Sequence, residues 1–100
     1  MAIQVVTEFI AKTTVRVIAY VYNDAGALVD PETSIKVTIY DPTGEAEEED
    51  EDMTMQDSTT GVYEYYFTTD ADTTEGWWTG EVWVVDVDKT SSGTFGFRIK

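Results

Sequence analysis

Carboxylates and aromatic rings are the side chains of this sequence that could do chemistry. The chain has 100 residues, with 20 Asp and Glu against six Lys and Arg, and it contains neither histidine nor cysteine. Imidazole acid–base catalysis, histidine-ligated zinc, thiolate metal sites and disulfides are therefore excluded. The oxygen chemistry that remains suits calcium binding or the paired carboxylates of a glycoside hydrolase.

The densest group of acids lies at 45–52, where seven of eight residues are Asp or Glu. Mutual repulsion disfavours a strand here, so we expect a flexible acidic loop. In a β-sandwich this loop would share one pole with residues 68–76. The candidate calcium ligands are Asp70, Asp72 and Glu75 at that pole and Asp24, Asp30, Asp86 and Asp88 at the other. Neither group has EF-hand spacing. A solvated acidic face is the simpler interpretation, with weak calcium binding as the alternative.

Catalysis is not expected from these acids. A sandwich of this size seldom encloses the cleft across which two carboxylates hydrolyse a glycoside. The sequence also has no Ser–His–Asp or Cys–His set and no glycine-rich phosphate loop. We therefore expect a protein that is not an enzyme and needs no cofactor.

The net charge of −14 bears on the partners, because it repels nucleic-acid phosphates and anionic lipid. No apolar run approaches the roughly 20 residues that span a bilayer. We expect no nucleic-acid partner and no membrane insertion; a protein partner or self-assembly is the expectation that the outward aromatic residues favour below.

The elements that must position these side chains are strands, because apolar and polar residues alternate along most of the chain. Clusters of Gly, Pro, Asp, Asn and Ser separate the alternating runs, as turns require. The predicted strands are 3–9, 14–22, 34–40, 53–56, 61–67, 77–85 and 93–100. Seven short strands at this spacing predict an all-β fold, a seven-stranded antiparallel immunoglobulin-like sandwich forming one domain over residues 1–100.

Three segments, VRVIAYVYNDAGALVDPETSIKVTIYDPTG, TGVYEYYFTTD and GWWTGEVWV, resemble immunoglobulin-like modules of macroglobulin and filamin type. The resemblance covers about residues 13–100. Its motifs are the loop at 24–26, the turn at 41–44 and the Gly-x-aromatic strand starts at Gly61 and Gly76. The resemblance implies a spacer, adhesion module or assembly surface, as in bacterial and archaeal surface proteins and phage virions. No catalytic residue comes with it.

All three tryptophans lie within the stretch GWWTGEVWVV, where alternation places Trp78 in the core and turns Trp77 and Trp83 outward. One interpretation is structural: Trp83 covers the bare backbone of Gly96, and Glu81 pairs with Lys36 or Arg98. The other is that the outward rings form a contact surface, since protein interfaces favour Tyr and Trp.

Outward aromatic residues on both predicted sheets favour the contact surface. The interface candidates are Tyr20, Tyr22 and Tyr66 on one sheet and Tyr40, Trp77 and Trp83 on the other. The sequence therefore predicts a non-catalytic structural or adhesion module that acts in protein–protein assembly, in a virion or at a cell surface. The alternatives are a carbohydrate-binding module that stacks sugars on exposed Trp and Tyr, and a calcium-stiffened spacer domain of a larger protein.

Overall fold

A computed structural model describes residues 2–11, 14–31, 33–69, 73–86 and 89–99, and in these ranges the chain forms eight strands and no helix. The strands are β1 (Ala2–Ala11), β2 (Thr14–Tyr22), β3 (Ser34–Tyr40), β4 (Ala46–Asp52), β5 (Thr54–Met55), β6 (Val62–Thr68), β7 (Gly76–Asp86) and β8 (Lys89–Ile99). They follow the alternating runs of the sequence, because successive side chains of a strand point to opposite faces.

The strands form two antiparallel sheets of four. The first sheet has the order β1-β2-β6-β5 and the second has the order β4-β3-β7-β8. All six strand pairings are antiparallel. The all-β, sandwich-like architecture is therefore confirmed, whereas the expected count of seven strands is wrong by one.

The additional strand is β4, which occupies the segment expected to be a flexible acidic loop. Its backbone pairs with β3, where Lys36 lies opposite Asp52 and Val37 opposite Glu51. The pairing is irregular: Asp50 has a positive φ of 51°, and its N–H donates to Thr38 Oγ1 at 3.1 Å. Most of the carboxylates are exposed, so water screens their repulsion, and the backbone bonds with β3 outweigh what remains.

The core lies between the sheets and consists of the apolar sets that alternation assigned to the inner face. Its fully buried side chains are Val15, Val17, Ala19, Val21, Val37, Ile39, Val82 and Val84. Near one end Trp78 packs against Phe67 and Phe97, with ring centroids 5.3 Å and 6.2 Å apart. Each fully buried Val, Ile or aromatic side chain contributes about 1.5–3 kcal/mol.

Two loops that carry the turn signals close through a side-chain oxygen. Asn23 Oδ1 accepts bonds from the N–H groups of Ala25 and Ala27 at 2.9 Å and 3.0 Å. Asp41 Oδ1 accepts bonds from the Thr43 hydroxyl at 2.6 Å and from two backbone N–H groups. The Thr43 hydroxyl bond is the main cause that lowers the pKa of Asp41. Such local bonds replace the missing ladder bonds and hold the strand ends together.

Candidate functional site

The outer face of the second sheet carries the two outward tryptophans. Trp77 is 63% exposed and Trp83 is 42% exposed, whereas Trp78 between them in sequence is only 2% exposed. The indole N–H of Trp78 donates to the carbonyl of Thr74 at 2.8 Å, which satisfies its polar atom at the edge of the core. The predicted division of β7 into an inner and an outer set is therefore confirmed.

A basic residue stands opposite each outward tryptophan. Arg98 on β8 is the cross-strand partner of Trp77, and Lys36 on β3 is the partner of Trp83. The Lys36 ammonium also lies 3.3 Å from a carboxylate oxygen of Asp52. The alternating pattern alone turns both bases outward, but only the strand register brings them to the tryptophans. Directly opposed side chains on one face of a sheet lie in contact range.

The structural explanation for Trp83 fails on register. Gly96 lies opposite Thr79, and Trp83 lies opposite Ser92, so the tryptophan does not cover that glycine. Glu81 lies opposite Thr38 on one side and opposite Thr94 on the other, rather than opposite a base. The exposed ring of Trp83 therefore does not have the structural role, covering Gly96, that the sequence suggested.

Tyr40, the third candidate on this face, lies near Trp77 rather than near Trp83. Its partner on β7 is Thr79, two residues from Trp77 and four from Trp83. Tyr40 is half-buried. This face therefore holds two separate aromatic sites, Trp77 with Tyr40 at one end and Trp83 with Lys36 at the other, about 20 Å apart for six residues of strand.

On the outer face of the first sheet, an ionic group lies beside Tyr66 and away from Tyr20 and Tyr22. Tyr20 and Tyr22 are half-buried at one end of β2, whereas Tyr66 on β6 is 48% exposed and lies opposite Arg16 near the other end. Arg16 pairs with Glu8 at 3.0 Å and with Glu64 at 3.2 Å. The structure therefore does not bring the three tyrosines together.

Burial and the Glu64 carboxylate, through its charge and a hydrogen bond, raise the pKa of Tyr66. Two apolar side chains lie beside that ionic group on the outer face: Ile18 is opposite Glu64, and Val62 is opposite Tyr20. Alternation turns both outward, yet they are only 7% and 6% exposed. The sequence did not predict that these outward-facing apolar side chains would be buried, because their burial depends on neighbours in other strands.

The proposed calcium ligands are not assembled in the described part of the chain. Asp30 has a structural role, since its Oδ1 accepts bonds from Gly61 N–H at 2.7 Å and from the Tyr63 hydroxyl at 3.0 Å. Asp24 lies in the exposed loop at 23–27, and Glu75 is exposed just before β7. The side chain of Asp86 and all of Asp70, Asp72 and Asp88 lie outside the described residues. Within the described ranges no three acidic side chains are grouped to hold a metal ion.

A cavity between the sheets was missed by the sequence reasoning. It has a volume of about 300 Å³, and its lining residues are Glu47, Glu48, Phe67, Thr68, Thr73, Thr74 and Trp78. Its lining brings β4 together with Thr68, Thr73 and Thr74. The lining of this cavity is partly polar because Glu47 and Glu48 lie at an open edge of the core.

Glu48 also connects the sheets through Tyr65. Burial raises the pKa of Tyr65 to about 12, and the charges of Glu48 and Glu51 and a hydrogen bond to Glu48 add to the effect. Glu48 and Glu51 lie opposite the buried residues Ile39 and Val37, so their side of β4 faces the core edge. β4 therefore closes one flank of the core with carboxylates.

Comparison with known protein families, curated proteins and solved structures gave no match. In the ranges that the structure describes, no helix is long and apolar enough to cross a membrane. The case for a function therefore depends on the two sheet faces and on the edges of the sheets.

Proposed function

We propose that this chain is a non-catalytic structural or adhesion module that acts in protein–protein assembly through its outward aromatic side chains. The observation that carries the proposal is the exposure of Trp77 and Trp83, at 63% and 42%, on the same outer face of the second sheet. Each tryptophan stands opposite a base, Arg98 or Lys36. Trp, Tyr and Arg are the residues that dominate binding energy at protein interfaces.

The strand order supports an immunoglobulin-like module. An immunoglobulin constant-type domain has sheets ABED and CFG, and variable-type domains add strands beside C. Here β1, β2, β6 and β5 occupy the positions of A, B, E and D, while β3, β7 and β8 occupy those of C, F and G. β4 takes the position beside C. This order supports the immunoglobulin-like part of the proposal, whereas the virion or cell-surface setting is proposed from the sequence resemblance alone.

The test is the solution mass of the full chain by sedimentation equilibrium, from micromolar to millimolar protein, at low and high salt. Salt screens the −14 charge, so assembly through apolar and aromatic contacts should strengthen as salt rises. The variant W77S/W83S should assemble more weakly than the wild type. L28S/M55S is the matched control, since Leu28 and Met55 are also exposed hydrophobic residues. Equal assembly of the wild type and W77S/W83S would contradict the proposal.

A carbohydrate-binding module is the second candidate, favoured by the same two exposed tryptophans. Thr79 and Glu81 lie between them on the outer face of β7 and offer polar groups to sugar hydroxyls. Titration with oligosaccharides would quench the emission of Trp77 and Trp83, but not that of the buried Trp78, and W77F and W83F would assign the change. The assembly proposal predicts no quenching.

The calcium-stiffened spacer has its own test. Calcium that orders an acidic loop would raise the melting temperature at millimolar concentration, because a ligand that binds only the folded state stabilises it. An unchanged melting temperature with calcium and with a chelator removes this candidate. The assembly proposal expects that unchanged result.

A further inference from the structure

We propose that the free edge of β1 is a pairing edge, at which β1 of a second copy of this chain adds to the first sheet. The inference goes beyond the proposed function, because the contact is made by the backbone of β1 and not by the outward aromatic side chains. β1 has ten residues and is the outer strand of its sheet. Within the described ranges no strand is hydrogen-bonded to its side away from β2, so the backbone N–H and C=O groups on that side are a template for another strand.

The side chains of β1 do not protect this edge. Its sequence, AIQVVTEFIA, contains no proline and no glycine and carries a single charge, Glu8. That charge is paired, since Glu8 Oε1 lies 3.0 Å from Arg16 Nη1. Val6, in the middle of the strand, is 41% exposed, and Phe9 is 52% exposed. Natural edge strands avoid pairing by short length, charge, proline or bulges, and of these β1 has one paired charge and one irregularity, near its end between Phe9 and Ala11.

The opposite flank of the sandwich is protected strongly. It is formed by β4 and β5, which are joined through the single residue Met53. β4 carries six carboxylates in seven residues and is irregular at Asp50, and β5 is two residues long. This flank therefore has three features that prevent strand addition: charge, a bulge and short length. The contrast marks the other flank as the one open to strand addition.

β8 accompanies β1 on the open flank. The two strands pack closely: a Cβ added at Gly93 would lie 2.9 Å from Val5 Cγ2, and the Thr7 hydroxyl donates to the Gly96 carbonyl at 3.4 Å. Together β1 and β8 contain one acid and two bases, Glu8, Lys89 and Arg98. The open flank is therefore close to neutral in a chain whose net charge is −14.

This charge distribution selects a second copy as the occupant. A basic partner segment would be drawn to β4, not to a nearly neutral edge. Two copies joined β1 to β1 would place their acidic flanks at the far ends of a continuous sheet. Three strand spacings, roughly 14 Å, separate β1 from β5, the strand of its own sheet that borders the acidic β4. That distance exceeds the Debye length of about 8 Å at physiological salt. An antiparallel β1–β1 contact is also self-complementary, as a two-fold dimer requires.

The test compares Val6→Glu with Met55→Glu by sedimentation equilibrium at 0.1 M and 0.5 M salt, between which the Debye length falls from about 10 Å to roughly 4 Å. Both side chains are about equally exposed, at 41% and 39%, and both changes add one negative charge. A two-fold contact centred near Val6 would place two glutamates side by side, which weakens dimerisation by about tenfold or more. The wild type and M55E should dimerise, and V6E should do so far more weakly. Equal dimerisation of V6E and M55E, or a wild type that stays monomeric up to millimolar protein, overturns the inference.

Cross-linking gives a second measurement that does not depend on the folding of V6E. The chain contains no cysteine, so single cysteines at Gln4, Val6 or Glu8 report the register directly. Opposed residues of paired antiparallel strands have Cα atoms about 4.5–5.5 Å apart, within the range that a disulfide spans. Mild oxidation should give covalent dimers of at least one of these variants and none of Met55→Cys. Dimers of none, or of M55C to the same extent, would overturn the inference.

Discussion

The ring of Phe95 lies over the bare backbone of Gly80, its direct partner across β7 and β8. A Cβ at Gly80 would overlap Cζ and both Cε atoms of that ring. Gly80 therefore allows Phe95 to lean onto the sheet and stack beside Phe97, with ring centroids 6.3 Å apart. The pairing of a strand glycine with an aromatic ring does occur in this sheet, but on the inner face and between different residues from those that the sequence suggested.

Gly80→Ala should destabilise the fold by about 1–3 kcal/mol, because the added methyl group displaces Phe95 from a packed position. Gly96→Ala is the matched control. Gly96 is exposed on the neighbouring strand, and a Cβ there would have its nearest atom, the Trp78 carbonyl oxygen, at 3.4 Å. Urea unfolding of the two variants measures the difference. Equal free energies of unfolding would show that the ring is not held against Gly80.

Asp30→Ala should cost about 1–3 kcal/mol of stability, since it leaves the N–H of Gly61 and the hydroxyl of Tyr63 without their acceptor. The bond also fixes the strand start at Gly61, whose φ is +78° and where a Cβ would lie 2.9 Å from Leu28 Cβ and from Val29 N. Asp30→Asn keeps an acceptor oxygen and should lose less. The ranking of the wild type, Asn and Ala variants by thermal unfolding checks the role, and an Ala variant as stable as the Asn variant contradicts it.

Stability should fall between pH 10 and pH 12 through Tyr63 and Tyr65. Burial, followed by the bond to Asp30, raises the pKa of Tyr63 from 10.0 to about 12, and burial with Glu48 and Glu51 does the same for Tyr65. In this interval the unfolded chain has released protons that the folded chain retains. The contribution of the two protonated tyrosines to the free energy of unfolding is therefore complete below pH 10 and is lost as the pH rises towards 12.

Urea unfolding from pH 9 to pH 12 measures this slope. The variant Y63F/Y65F removes both phenols and should flatten the profile, although its stability at pH 9 is lower because the bond from Tyr63 to Asp30 is lost. If the double variant loses stability with pH as steeply as the wild type, the loss of stability at alkaline pH must come from other groups.

Neutralising part of β4 should stabilise the protein. Glu47 and Glu49 are exposed on a strand in which six of seven residues are acidic. E47Q/E49Q should raise the melting temperature by a few degrees at low salt, because like charges along a strand repel. The gain should shrink as salt screens them. Glu75→Gln, an exposed acid outside β4, should have a smaller effect, and a larger one would contradict the explanation.

The sequence predicted the strands well where one face is buried. In β2 the inner set predicted by alternation, Val15, Val17, Ala19 and Val21, matches side chains that are 0% exposed. β7 follows the same rule through Trp78. Such positions are predictable because the period of a strand and the exclusion of water from one face are both local properties of the chain.

β4 could not be predicted in this way, because its residues argue for a solvated loop and its pairing depends on β3. Whether a segment extends a sheet is decided by the free backbone groups of the neighbouring strand, which no local pattern records. The same holds for the bases beside Trp77 and Trp83, since strand register is a tertiary property.

The sequence by itself determined that this protein builds an antiparallel β-structure with an apolar inner face and outward aromatic rings. It also excluded chemistry that needs histidine or cysteine. Only the tertiary structure decided which residues those rings face, that the acidic segment closes one flank, and that β1, with its single charge paired to Arg16, is the outer strand on the other. The physical reason is that alternation fixes the face of each side chain, whereas pairing between distant strands fixes its neighbours.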